Sequence, residues 1–156
     1  MRVMVACEES QTVTMELRRL GHEAYSCDLQ ECSGGHPEWH IRADALEMIK
    51  LKWDMIIAHP PCTYLTSASA VRLYNADHSI KDAARFEKGK RAAEFFLTIW
   101  NADCPRIVIE NPTPMKVWDL PQYSQIIEPY YFGDPWRKRT CLWLKNCPPP
   151  TADAGC

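Results

Sequence analysis

The chain has 156 residues, a formal net charge of −2, and 46% hydrophobic and 24% charged residues. That balance fits one globular domain and excludes a disordered or polyelectrolyte protein. With no global positive charge, a nucleic-acid site has to be a local patch, and the basic stretches are 81–91 and 137–139. The first of these reads as a solvated helix face. No apolar run approaches the roughly 20 residues that span a bilayer, so no membrane partner is expected. Met1-Arg2-Val3-Met4-Val5 reads as a first strand and not as a signal peptide. The eight cysteines, in a chain able to build an apolar core, are expected to stay thiols in a reducing cytoplasm.

In chain order, a short apolar strand over 2–6 is followed by helical periodicity over 10–20, carried by Val13, Leu17 and Leu20. Ser10 is placed to cap this helix and Gly21 to stop it. A second strand over 23–27 ends at Asp28, and a Gly/Pro-rich loop spans 32–40. A short helix is expected over 45–50. The continuous apolar run 53–58 predicts a central parallel strand covered on both faces. After a loop over 63–78, an amphipathic helix is expected over 80–102, with Phe95, Phe96, Ile99 and Trp100 towards the core. Then come a strand over 106–110, a short helix over 122–127, and two last strands over 130–132 and 140–144, joined by Gly133-Asp134-Pro135.

Alternating β and α elements imply one α/β domain over 1–147, built on an open, mostly parallel, doubly wound sheet, with a Pro-rich tail over 148–156. In such sheets ligands sit at the carboxyl ends of the strands. Glu8, Glu9, Asp28, Asp44, Cys62 and Glu110 all fall at or beside such ends, which points to one shared site.

Two strand ends carry chemistry. Ile56-Ile57-Ala58-His59-Pro60-Pro61-Cys62 ends a buried strand in a rigid turn, because each proline fixes its own φ. A thiol held there, ionised, is a nucleophile in a fixed position; the plainer reading is a small buried hydrophobe. Ile107-Val108-Ile109-Glu110-Asn111-Pro112 repeats the design. Burial of the Glu110 carboxyl predicts a raised pKa and a proton donor near neutrality. The alternative is a loop anchor paired with Arg137 or Arg139.

Taken together, Pro60-Pro61-Cys62 and Glu110-Asn111 resemble the two central motifs of the DNA cytosine C5 methyltransferases. The resemblance implies a Rossmann-like, S-adenosylmethionine-dependent methyltransferase fold with an antiparallel C-terminal strand, and a catalytic residue set. Cys62 would attack C6 of cytosine and Glu110 would protonate N3, so that C5 can accept a methyl group. It implies that Asp28 meets the cofactor ribose and Asp44 the adenine. It places Pro60 and the loop Cys7-Glu8-Glu9-Ser10 against the cofactor, with Glu8 or Glu9 at its amino group and the helix N-terminus near Ser10 facing its carboxylate. Pro61, Thr63, Tyr64, Asn111 and Pro112 would line the substrate side. Phe132-Gly133-Asp134-Pro135-Trp136-Arg137-Lys138-Arg139 resembles the arginine-bearing motif of the family, which implies Arg137 and Arg139 beside the cytosine and its phosphate.

Two departures stand out. The family's first loop is glycine-rich, whereas Ala6-Cys7-Glu8-Glu9-Ser10-Gln11-Thr12 has no glycine. The family also continues into a target-recognition region, and no such region is recognisable here. The expected partner is therefore DNA read in a short or relaxed context, through a homodimer or a separate recognition partner; a free nucleotide is the alternative substrate. In a duplex the base has to be flipped out, and the 63–78 loop, with Tyr64, Arg72 and Tyr74, is the element placed to assist. Small stand-alone versions of the family occur in phages and prophages, which implies a phage or restriction-modification setting.

Competing readings remain. An exocyclic-amine methyltransferase also carries a Pro-Pro pair, but it has an aromatic residue where Cys62 stands and no need of Glu110-Asn111. A non-catalytic nucleic-acid or host-protein binding module needs neither Cys62 nor Glu110. Cys27, Cys32, His36 and His40, spaced C-x4-C-x3-H-x3-H, offer zinc ligands; the preferred reading of that segment is a polar loop over the cofactor pocket, without metal.

Overall fold

The computed structural model describes residues 1–151, and the remainder of the expected tail, 152–156, lies outside the described residues. Seven strands form one sheet: β1 (Arg2–Ala6), β2 (Glu23–Asp28), β3 (His40–Arg42), β4 (Met55–Ala58), β5 (Ile107–Asn111), β6 (Gln125–Ile127) and β7 (Thr140–Lys145). Their order is β3-β2-β1-β4-β5-β7-β6. The first five are parallel, and β7 runs antiparallel to both β5 and β6. The expected fold class is what forms: a Rossmann-like, mostly parallel α/β domain with an antiparallel C-terminal strand.

Both faces of the central strands are covered, which is why β1 beyond the exposed Arg2 and all of β4 are apolar. One face packs Met4, Ala6, Ile56, Ala58, Ile107 and Ile109 against Ala45 and Ile49, from and just after α2 (Ala45–Met48), and against Phe96 and Ile99 of α4 (Ala83–Trp100). On the other face Val3, Val5 and Ala24 pack against Val13 and Leu17 of α1 (Thr12–Arg19). Strand order reverses between β1 and β4, so the crevice of the fold opens between Cys7-Glu8 and His59-Pro60.

Several local expectations hold and several do not. Gly21, at φ 93°, stops α1: its N–H donates to the Arg18 carbonyl and that of His22 to the Leu17 carbonyl, the paired bonds of a left-handed helix stop. The helix begins at Thr12, however, and its N-cap residue is Gln11, not Ser10. Helix α4 starts at Ala83 because the Asp82 carboxylate accepts the Arg85 N–H at 2.9 Å.

The expected helix over 122–127 is absent. Residues 125–127 form β6, drawn into extended pairing by β7 once Ser124 N–H bonds the Leu142 carbonyl. The expected strand over 130–132 is instead a 3₁₀ turn, Pro129–Phe132. Pro129 has no N–H to give a ladder, and Gly133 at φ 92° ends the turn. The 32–40 loop leads into β3, which the sequence did not signal.

The 63–78 segment is anchored. It holds a 3₁₀ turn, Ser67–Ser69, and α3 (Ala70–Leu73), and it buries Leu65 and Leu73 with Met115 and Trp118 in a second core. Trp118 lies so close to α4 that a Cβ on Gly89 would come within 2.2 Å of the ring. Among the described residues no helix is long and apolar enough to cross a membrane, and the cysteines there are free thiols.

Candidate active site

Parallel pairing sets Ala58 against Ile109, so the next residues on each strand, His59 and Glu110, emerge side by side. The two turns are tied together at this point. The Asn111 side chain, 2% exposed, donates from Nδ2 to the Pro60 carbonyl at 3.2 Å. Beyond the turns, Ser67 N–H donates to the Thr113 carbonyl at 3.0 Å and Met115 N–H to the Leu65 carbonyl at 2.8 Å. The half-buried Cys62 is held within its own turn, its carbonyl accepting the Leu65 N–H at 3.0 Å. Pro60-Pro61-Cys62 and Glu110-Asn111-Pro112 thus form one braced unit at the crevice.

The residue missed by sequence reasoning is His59. Its Nδ1 lies 2.9 Å from Glu110 Oε2, and its Nε2 lies 3.7 Å from Glu8 Oε2. Nε2 is buried and has no hydrogen-bond partner. Burial works against an imidazolium here, but the two carboxylates outweigh it and raise the pKa to about 9. The signal was available: once Ile56-Ile57-Ala58 is paired with Ile107-Val108-Ile109, the histidine falls opposite the glutamate.

Glu110 corrects an expectation. Its carboxyl is held below the ordinary range, chiefly by the hydrogen bond to His59 and against the effect of burial, with the charge of Lys138 adding to the effect. At rest it is a carboxylate, not a poised acid. The cation that bears on it from the 133–139 segment is Lys138, not Arg137 or Arg139. Both arginines are exposed, and Arg137 lies 5.3 Å over the Tyr130 ring.

Glu8 overturns a second expectation. Its carboxylate, 5% exposed, accepts the Val13 N–H, the Thr14 N–H and the Thr14 hydroxyl at 3.0–3.2 Å. The N-terminus of α1, expected to face a ligand carboxylate, is thus already occupied by an internal one. Burial alone would raise the Glu8 pKa; the His59 ring 3.7 Å away and the bonds from Thr14 and Val13 outweigh it and lower it. Glu9 is tied to Ser33 through both its carbonyl and its carboxylate, and Ser10 is exposed with its hydroxyl 3.3 Å from that of Thr12.

The glycine-free loop still makes left-handed turns. Cys7 and Gln11 take φ near +60°, and the cost of αL for a non-glycine residue is met by bonding. Cys7 and Glu8 N–H both donate to the Cys27 carbonyl, and the buried Gln11 side chain bonds both the N–H and the carbonyl of His36.

Cavities open on either side of Cys7. One of about 320 Å³ is lined by Glu8, Glu9, Ser10 and His59, and the other, of about 290 Å³, by Cys27, Asp28, Ala43, Pro61 and Phe95. Burial, with Asp28 second, pushes the Cys7 thiol up to about 12 and Cys27 to about 11, so neither is a competing thiolate.

Asp28 is half-buried at the end of β2, with one carboxylate oxygen accepting the Gln30 N–H at 3.0 Å. Asp44 caps α2 through the Leu46 N–H at 2.9 Å. A carboxylate closing the second strand beside a cavity, about 20 residues past the first turn, is the usual acceptor for ribose hydroxyls. The donor set therefore fits a nucleoside cofactor.

On the substrate side, Pro61 and Thr63 are exposed, and Pro112 is half-buried. Tyr64 is clamped to α4, with Arg85 and Lys88 over its ring at 4.9 and 5.7 Å, and Arg85 also bonds the Thr63 carbonyl.

The zinc quartet is not assembled. His40 Nε2 donates to the Gln30 carbonyl, which leaves Nδ1 as the acceptor 2.7 Å from Ser26 Oγ. His36 pairs with Glu38 and stacks on Trp39 at 4.1 Å. Cys27 is buried and bonds the Ala43 carbonyl, and Cys32 is half-buried. Among the described residues no three His, Cys, Asp or Glu side chains gather to hold a metal ion.

The strand order and the switch-point crevice define the class, a Rossmann-like α/β domain. No protein-family model matches the chain, and no curated protein matches it. Among solved structures it is similar to a candidate DNA modification methyltransferase encoded within a prophage (E. coli), at 12% identity and a TM-score of 0.52, over 92% of this chain and 46% of that one. It is also similar to PH0851, at 12% identity and a TM-score of 0.50, over 93% of this chain and 42% of that one. Likeness at this identity establishes the fold alone, and the chain spans less than half the length of either structure.

Proposed function

We propose that the chain transfers a methyl group to C5 of cytosine in DNA through a covalent adduct between Cys62 and C6, with Glu110 acting at N3. One observation carries this reading: Cys62 and Glu110 stand on adjacent turns that Asn111 and His59 lock together at the switch point. C5 of cytosine is a weak nucleophile until C6 is saturated, so covalent attack divides one hard step into two easier ones. Cys62 forms the bond to C6, the ring gains electron density through N3 and C5, and Glu110 delivers a proton to N3.

S-adenosylmethionine, when bound, supplies the methyl group. Asp28 would take its ribose hydroxyls, Asp44 its adenine, and Cys7, Glu8, Glu9, Ser10 and Pro60 the remaining wall. Because Glu8 already occupies the helix N-terminus, it suits the cofactor's ammonium and not its carboxylate. Pro61, Thr63, Tyr64, Asn111 and Pro112 frame the base, while Arg137, Lys138 and Arg139 face the phosphates. The likeness in fold to a candidate DNA modification methyltransferase supports DNA as the substrate.

The test uses the whole chain with labelled S-adenosylmethionine and DNA containing 5-fluorocytosine, which blocks the final elimination. A covalent protein–DNA band on a denaturing gel is expected, absent in Cys62→Ala and retained in Cys7→Ala. Methyl transfer to ordinary DNA that survives Cys62→Ala would sink the C5 mechanism.

A further inference from the structure

We infer that His59 is a positioning residue that stores the proton Glu110 delivers, so that Glu8, His59 and Glu110 act as one proton relay spanning the cofactor and base sides of the crevice. The inference rests on the C5 reading above and assigns a role to a residue that reading does not use.

The geometry supplies the argument. A general acid at N3 has to carry a proton at the moment of attack, and Glu110 is held as a carboxylate. The proton nearest to it lies on His59 Nδ1, in a 2.9 Å hydrogen bond to Glu110 Oε2. On the far side of the ring, Nε2 is buried and unpartnered except for the Glu8 charge 3.7 Å away. Glu8 is itself fixed by three bonds from Val13 and Thr14, so it cannot swing away. An imidazole confined between two immobile carboxylates is charged at neutral pH, and its Nδ1–H is aimed at the acid.

The step balances. As the Cys62 thiolate forms its bond to C6, the C5–C6 π pair moves through C4 to N3, the Nδ1–H bond breaks and its proton passes to the Glu110 carboxylate. Glu110 then forms the N3–H bond and returns to a carboxylate, leaving His59 neutral. After methyl transfer and loss of the C5 proton to a water-derived base, the N3 proton returns by the same path as Cys62 leaves. The groups facing His59 are Cys7, Glu8 and Glu9 from the β1–α1 turn and Glu110 from β5, with Lys138 bearing on Glu110 from the segment before β7. None of them can replace a cation between the two glutamates.

The test is the rate of adduct formation with 5-fluorocytosine DNA as a function of pH, in wild type and in His59→Asn. The asparagine keeps a donor near Glu110 but cannot hold the charge. We expect a loss of about 10²–10⁴-fold in the rate at neutral pH with KM for DNA little changed, the range spanned by a lost general acid. The wild-type to variant ratio should narrow at both ends of the profile. On the acid side Glu110 regains its own proton, and on the alkaline side His59 loses its charge near pH 9. Taking the ratio cancels any ionisation common to both proteins.

A ratio constant across pH, or a loss expressed only in KM, would overturn the relay and leave the C5 reading standing. No adduct in the wild type would overturn both. Should His59→Asn not fold, Glu8→Gln serves: its amide oxygen keeps the acceptor for the Thr14 N–H and hydroxyl, gives up the Val13 bond, and removes the charge beside Nε2. Its alkaline limb is expected at lower pH than in the wild type, and an unmoved limb would overturn the relay.

Discussion

At the scale of single residues, the arrangement to explain is a cation between two carboxylates. The His59 pKa of about 9 stands above its ordinary value of 6.5, so the folded state binds a proton that the unfolded state releases first. The stabilisation is therefore complete below about pH 6.5 and is lost as pH rises through about 9. Thermal denaturation followed from pH 6 to 10 should show Tm falling across that window in the wild type, and much less in Glu110→Gln. Glu8 and Glu110 have the opposite sign: their lowered values contribute stability at neutral pH that disappears as pH falls through the carboxylate range. Asn111 makes a second residue-scale prediction. Asn111→Ala leaves the Pro60 carbonyl without its 3.2 Å partner and should cost about 1–3 kcal/mol. At this chain length each kcal/mol lowers Tm by about 2–4 °C. Adduct formation should slow as well, although Cys62 and Glu110 are both intact.

At the scale of elements, the long helix α4 and the loops after β4 and β5 are one packing unit. Gly89 lets the Trp118 ring come up against the helix, where a methyl group would meet it at 2.2 Å. Gly89→Ala improves helix propensity by up to about 1 kcal/mol but forces an overpacked contact costing about 1–3 kcal/mol. The clash should win, because Phe86 holds the Trp118 ring in place at 5.3 Å between centroids. A lowered Tm is expected, with slower adduct formation, since Trp118 supports the Met115 and Leu65 contacts behind Cys62. The segment 122–132 shows how little local pattern decides when an element is short. Gln125–Ile127 has three residues and becomes a strand only because β7 offers an edge.

At the scale of the whole molecule, a net charge of −2 repels a polyanion, so the proposed binding to DNA has to be concentrated. The exposed Arg137, Lys138 and Arg139 follow the exposed aromatic residues Tyr130, Tyr131, Phe132 and Trp136 in one segment near the crevice. Replacing all three cations with glutamine should weaken binding to DNA of any sequence and reduce the slope of log K against log salt by up to about 3. An unchanged slope would remove this segment from the interface.

The sequence by itself determined the parallel β-α alternation, the burial of β1, β4 and β5, and the presence of a thiol and a carboxylate at two strand ends, because these rest on hydrophobic periodicity and on proline. It also located Asp28 at the end of β2, from strand length alone. Only the tertiary structure decided the charge states. Whether Glu110 is an acid or a carboxylate depends on which residue stands beside it across the sheet. His59 takes that position through β4–β5 pairing of residues 51 positions apart, and Glu8 completes the set from β1. Electrostatics at a few ångströms is set by strand register, and no window of neighbouring residues contains it.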